Sequence, residues 1–174
     1  MSNKSKEVVI VNAIRTPIGT YKGSLKNMKS HALGSIVIKE VLSRSKFDKD
    51  EIDEVIMGQV LTTGAGQNPA RQAAINAGIP ISKPAHIINQ VCGSGLRAVI
   101  SGYQSIKLGE AKNIISGGQE NMSIAPHSIF YRDKKKISED KLLDTMINDG
   151  LIDAFNNYHM GVTAENVAKK FHIS

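Results

Sequence analysis

The chain has one cysteine, Cys92, among its 174 residues, and the residues around it form the most chemically pointed stretch of the sequence. The run His86-Ile-Ile-Asn-Gln-Val91 has the apolar, β-branched character of a strand. It ends on Cys92 and passes through Gly93-Ser94-Gly95 into a helical pattern at Leu96, Val99, Ile100, Tyr103 and Ile106. This pattern predicts an elbow from strand to helix. A thiol placed there meets unpaired backbone N–H groups and the positive end of a helix dipole, both of which favour the nucleophilic thiolate. Gly93 and Gly95 let backbone and substrate approach closely, and the Cys92 N–H is a candidate donor to an oxyanion formed on a thioester carbonyl. A lone cysteine is otherwise a small buried hydrophobe; the elbow favours the reactive reading.

The histidines are the other groups to weigh. His86 precedes Cys92 on the same extended run, about 20 Å away at about 3.3 Å per residue, and is read as structural. His31, His127 and His172 lack the spacing of converging ligands, so no metal site is expected. His159, between Tyr158 and Met160, reads from the residues alone as ordinary partly buried packing.

The elements that must position these groups alternate. Val8 to Ile14, Glu54 to Met57, His86 to Val91 and Asn113 to Ser116 predict strands. Helical spacing falls between them at Leu33, Ile36, Val37, Val41 and Leu42, at Ala70, Ala73, Ala74 and Ala77, and at Leu96 to Ile106. Alternation of this kind predicts an α/β fold with a mostly parallel sheet and helices on both faces, because each parallel crossover needs an intervening element. Asn68 before Pro69 predicts a helix start, and Gly78 its stop. Asp48 to Glu51 predicts a short helical turn with acidic residues near its positive end. Beyond Gly117-Gly118 the alternation stops and the stretch from Ser123 to Lys141 is polar. A last helix is predicted from Thr163, as N-cap, to His172. The division expected is a first domain over 1–122 and an incomplete loop domain over 123–174, so that the sequence looks truncated.

Composition excludes several classes. Hydrophobic residues at 41% with ordinary Gly and Pro content fit a globular chain, neither disordered nor fibrous. One cysteine rules out a disulfide-stapled secreted scaffold. Net charge is +6, yet there is no Trp, aromatics are 5% and the basic residues are scattered except at Lys134 to Lys136, so nucleic acid is not the expected partner. That lysine run is read as a solvated face. Val8 to Val11 is too short for a signal-peptide core, and no run approaches the roughly 20 apolar residues that span a bilayer. A cytoplasmic chain without membrane contact is expected.

Six segments along the chain then carry a resemblance. Asn89-Gln-Val-Cys92-Gly-Ser-Gly-Leu and the preceding Gly64-Ala-Gly-Gln-Asn-Pro-Ala-Arg-Gln-Ala-Ala74 resemble the amino-terminal half of a thiolase. Val11-Asn-Ala-Ile-Arg-Thr-Pro17 is similar to the family's opening strand and loop, Glu54 to Val60 to its second strand, and Gly117-Gly-Gln-Glu-Asn-Met-Ser123 to the strand end beside its active site. Tyr158 to Val167 resembles its substrate loop. Within the family the pattern is most similar to acetyl-CoA acetyltransferases of the biosynthetic type. The resemblance implies the thiolase fold. It also implies acyl transfer from a CoA thioester to Cys92, followed by condensation with a second acetyl-CoA to acetoacetyl-CoA, or the reverse thiolysis. By position it implies that His159 and Met160 lie near the pantetheine and acyl group, and Leu151 near the CoA moiety. No cofactor is implied beyond the CoA substrates, acetyl-CoA and acetoacetyl-CoA, and a homodimer or tetramer is.

Complete thiolases also have a Gly-His-Pro histidine that activates the nucleophile, a second cysteine that acts as acid and base, and an Asn-Glu-Ala-Phe asparagine that holds a water. None of these stands in the sequence. The expectation is an acyltransferase chain supplying the nucleophile, with a silent fragment that binds CoA or partner subunits as the alternative. Half of such a fold is further expected to leave apolar surface uncovered and to be marginally stable.

Overall fold

The computed structural model describes residues 7–132 and 142–174; the lysine run at Lys134 to Lys136 lies outside them. The chain divides into two compact units, 1–124 and 125–174.

In the first unit, helix α1 (Ser30–Ser45) ends where Lys46 turns left-handed at φ 56°. A single 3-10 turn, Lys49–Glu51, follows, and its capping box is complete. The Asp48 carboxylate accepts the Asp50 N–H at 3.0 Å, and the Glu51 carboxylate accepts the Asp48 N–H at 3.2 Å. Strand β1 (Glu54–Gly58) leads to α2 (Pro69–Asn76), where the Asn68 side chain accepts the Arg71 N–H at 3.0 Å and Pro69 occupies the first helical position. That cap is worth about 1 kcal/mol, and the start read from Asn68-Pro69 is where the helix begins. Gly78 follows the helix at φ 92°, the left-handed stop that glycine adopts freely. Strand β2 (Ala85–Ile88), helix α3 (Ser94–Leu108) and strand β3 (Ile114–Gly118) complete the alternation.

The sheet has the order β2-β1-β3, and both pairings are parallel. Val55 pairs with Ala85 on one side and Ile115 on the other. Successive strand residues point to opposite faces. Val55 and Met57 therefore share a face, where they pack with Ile38 of α1 and Ala70, Ala73 and Ala74 of α2. Glu54, Ile56 and Gly58 face the opposite way, toward α3, so helices cover both faces as expected. On α3 the buried positions are Ser94, Ala98 and Gly102, not the larger Leu96, Ile100 and Tyr103. The reason is distance: a Cβ on Gly102 would stand 2.6 Å from the Ser116 hydroxyl, so only small residues fit between this helix and the sheet.

Asp53 ties the entries of β1 and β3 together. Its carboxylate accepts the N–H groups of Lys112 (2.7 Å) and Asn113 (3.0 Å), and its own N–H donates to the Asn113 carbonyl at 2.9 Å. These backbone donors hold its carboxyl below the usual value of 3.8. A depressed folded pKa means that the stabilisation is present above pH 3.8 and is lost as the pH falls through the folded value. Asp53→Asn is expected to unfold at lower urea concentration than wild type at neutral pH and to lose less on acidification, read from urea midpoints at neutral pH and below 3.8. Parallel pH profiles for the two proteins would refute the assignment.

The expected strand at Val8 to Ile14 is not formed. The segment belongs to no ladder among the described residues, and Val9, Ile10 and Val11 are mostly exposed. Strand identity requires a hydrogen-bonded neighbour, and here a cavity of about 860 Å³ intervenes. The segment lines it together with β3, an edge strand, Val37 and Val41 of α1, and Ile100 and Tyr103 of α3. A β-branched run without a partner strand stays an open chain.

In the second unit β4 (His127–Ser128) pairs antiparallel with β5 (Leu143–Asp144). A π-helical turn, Ile147–Leu151, and helix α4 (Met160–Phe171) follow. The helix starts ahead of the expected Thr163. The reason is the cap: the His159 Nδ1 accepts the Gly161 N–H at 3.0 Å, so His159, not Thr163, is the N-cap. No described helix is long and apolar enough to cross a membrane.

Candidate functional site

Cys92 lies between the end of β2 and the start of α3 and is exposed. The two residues that fix its setting are Val91 and Gly58. Val91, immediately before the cysteine, has φ 47°, a left-handed conformation that a β-branched residue adopts only at a cost of about 1–3 kcal/mol. It is the sharp point of the predicted elbow. Gly58 ends β1 directly beneath α3; a Cβ there would stand 2.4 Å from the Ser94 carbonyl carbon and 2.5 Å from the Gly95 nitrogen. A Cβ on Gly118, at the end of β3, would lie 3.4 Å from the Gly95 Cα. Three glycines thus let the first turn of α3 sit on the carboxyl ends of β1 and β3, the edge of a parallel sheet where ligands of α/β folds bind.

The turn is closed by its own hydrogen bonds. Gly93 N–H donates to the Gln90 carbonyl at 3.0 Å and Ser94 N–H to the Val91 carbonyl at 3.1 Å. The Ser94 hydroxyl, itself buried, donates to the Val91 carbonyl at 2.6 Å and accepts the Gln90 N–H at 2.8 Å. Asn89 spans the other side. Its Oδ1 accepts the Val91 N–H at 3.0 Å and its Nδ2 donates to the Val60 carbonyl at 3.4 Å. Glu120, just past β3, accepts the N–H groups of Val60 (2.8 Å) and Leu61 (3.2 Å) on Oε2, while its Oε1 is buried without a partner. Burial pushes the Glu120 carboxyl upward, opposed by the N–H groups of Val60, Leu61 and Asn121. Beside it Gln119 donates to Gln59 Oε1 at 2.9 Å, and Gln59 donates to the Leu61 carbonyl at 2.8 Å.

The other candidate residues belong to the second unit. Leu151 closes the π-helical turn, His159 caps α4 and Met160 opens it. A bridge between Ile152 and His159, and the Asp153 N–H donating to the Tyr158 carbonyl at 2.9 Å, bring Leu151 and His159 onto the two limbs of one loop. Asp153 organises that loop by accepting the N–H groups of Phe155 and Asn156, which lower its pKa. Because Nδ1 of His159 accepts a backbone hydrogen bond, the neutral ring carries its proton on Nε2 and presents a donor there. His86 pairs with Glu54 at 2.9 Å, away from the elbow, as the structural reading expects. Among the described residues no group of three or more His, Cys, Asp or Glu side chains is placed to hold a metal ion.

Sequence reasoning did not single out Asn89, Ser94 or Glu120. Asn89 carried a usable signal, since an asparagine side chain readily bonds the backbone two residues on; Glu120 meets Val60 only through the sheet.

The fold and site define an α/β chain that offers an exposed thiol on a tight strand-to-helix turn at the carboxyl edge of a parallel sheet. Residues 8–174 match the family described as "Thiolase, N-terminal domain", and the chain belongs to the thiolase family. Among similar proteins, an acetyl-CoA acetyltransferase of Paracoccus denitrificans is 54% identical over 97% of this chain and 43% of its own length. The cytosolic acetyl-CoA acetyltransferase of Rattus norvegicus is 52% identical over 100% of this chain and 44% of its own. A probable acetyl-CoA acetyltransferase of Escherichia coli is 52% identical over 97% and 43%. The chain therefore spans less than half the length of these relatives.

Proposed function

We propose that the chain supplies the acyl-accepting nucleophile of an acetyl-CoA acetyltransferase. The observation that carries the reading is the exposed Cys92 on the Val91 turn at the start of α3, in a chain matched to the thiolase amino-terminal domain. The Cys92 sulfur attacks the carbonyl carbon of acetyl-CoA. The tetrahedral oxyanion accepts a hydrogen bond from the Cys92 N–H, the bond from carbon to the CoA sulfur breaks, and CoA leaves as a thiolate that takes up the proton lost by the cysteine. A C–S bond replaces a C–S bond, so the exchange is close to balanced in energy. In the second half-reaction the second cysteine of complete thiolases takes the α-proton of another acetyl-CoA, and the resulting carbanion attacks the acetyl carbonyl carbon. The bond from that carbon to the Cys92 sulfur breaks, Cys92 leaves as a thiolate, and acetoacetyl-CoA forms; thiolysis is the reverse.

His159 and Met160 are assigned to the pantetheine and acyl end of the substrate, and Leu151 to the CoA moiety, with residues 123–174 as the start of the substrate-binding loop domain. A donor on His159 Nε2 suits an amide or thioester carbonyl. The whole enzyme is proposed to be a cytoplasmic homodimer or homotetramer.

Intact-mass spectrometry after incubation with acetyl-CoA tests the reading. The expected result is one acetyl group per chain, released by added free CoA. A folded sample that gains no acetyl group even at a pH above about 8.5, where a thiol ionises without the activating histidine, would overturn it in favour of a chain that only binds CoA or partner subunits.

A further inference from the structure

We propose that Asn89 is a positioning residue for the chemistry of Cys92: its side-chain amide holds Val91 in the left-handed turn that sets the thiol at the carboxyl edge of the sheet. The inference rests on Cys92 being the acyl acceptor.

Val91 is the one residue of the elbow whose backbone opposes its own side chain. At φ 47° a valine is strained, and such a conformation persists only where the surroundings over-determine it. The Ser94 hydroxyl secures the Val91 carbonyl at 2.6 Å, but that bond lies on the helix side of the turn and reports to α3. On the strand side the Val91 N–H has the Asn89 Oδ1 at 3.0 Å. The Asn89 amide nitrogen reaches across to the Val60 carbonyl at 3.4 Å, and the Val60 N–H is anchored on Glu120 Oε2 at 2.8 Å. Asn89 follows β2, Val60 follows β1 and Glu120 follows β3. One side chain thus references the turn before Cys92 to the ends of all three strands. A carboxamide suits the task because it accepts at one atom and donates at the other; Asp, Ser and Ala each lose one or both functions.

Asn89→Ala removes both bonds, and Asn89→Ser keeps a hydroxyl oxygen that can accept the Val91 N–H. Three readouts are taken on the whole chain: the saturating rate and half-saturating concentration of Cys92 acetylation by acetyl-CoA, the alkylation rate of Cys92 by iodoacetamide, and the urea midpoint. Asn89→Ala is expected to slow the saturating acetylation rate about tenfold, since small misplacements of a reacting group cost that much or more. The half-saturating concentration and the folded fraction should stay near wild type, alkylation should slow in step with acetylation, and Asn89→Ser should recover most of both rates. A rate within twofold of wild type, or a loss that tracks the unfolded fraction, would overturn the proposal. If wild type itself is not acetylated, the acyl-acceptor reading fails separately. The alkylation rates then decide the positioning role: slowing in Asn89→Ala with recovery in Asn89→Ser supports it, and equal rates overturn it.

Discussion

Gly58→Ala is expected to destabilise the first unit by about 3 kcal/mol, at the upper end of overpacking costs and a large share of the 5–15 kcal/mol that typically holds a domain folded. The added Cβ would lie 2.4, 2.5 and 2.6 Å from the Ser94 carbonyl carbon, the Gly95 nitrogen and the Ser94 carbonyl oxygen. All three are backbone atoms in the first turn of α3, so no rotamer change relieves the clash, and the helix must move off the sheet. Movement there is costly because α3 meets the sheet through Ser94, Ala98 and Gly102, whose close fit is lost when the helix lifts. It also displaces Ser94, whose hydroxyl closes the turn before Cys92. Gly117→Ala is the control: the nearest atoms to its Cβ are the Met57 Cε and Sδ at 3.9 Å, an ordinary contact. Urea midpoints measured side by side should fall sharply for Gly58→Ala and little for Gly117→Ala; equal midpoints would show that α3 does not seat on Gly58.

How much of this was legible in the sequence depends on whether a residue's partners are local. The start of α2 was readable because Asn68, Pro69 and Arg71 settle it among themselves. The elbow was readable because the change from strand period to helix period brackets Cys92 on both sides. The Val8 to Ile14 strand was misread because its β-branched run states a preference, while a strand needs a neighbour, and a cavity lies between it and β3. The start of α4 was missed because a histidine ring replaced the usual hydroxyl cap. The strained φ of Val91 could not be read at all, since valine is among the residues least suited to it. That position is set from outside, by Asn89 and Ser94, and through Asn89 by Val60 and Glu120, which the chain brings together only once β1, β2 and β3 have paired. The chemistry-bearing residue was therefore visible, and of the residues that aim it only Asn89 carried a local signal, in its bond to the backbone two residues on.

Cys92→Ser is expected to abolish acetylation by acetyl-CoA, a loss of at least about a thousandfold in the saturating rate, because a neutral hydroxyl is a far weaker nucleophile than a thiolate. The chain has no second cysteine to take over. Cys92 is exposed, so the smaller oxygen leaves no cavity, and the bonds that shape the turn belong to Asn89, Gln90, Val91 and Ser94. The urea midpoint should thus stay within error of wild type while the acetyl adduct disappears from the mass spectrum. Gly58→Ala predicts the opposite coupling, with the thiol intact and the urea midpoint lowered, and with acetylation falling through both the lost folded fraction and the displaced Ser94. The pair separates a fold that presents the nucleophile from the nucleophile itself. Acetylation of Cys92→Ser at the wild-type rate would place the acyl acceptor on another side chain and remove the chemical role from the elbow, whereas loss of both folding and acetylation would mean that the sulfur packs into the turn instead of standing free above it.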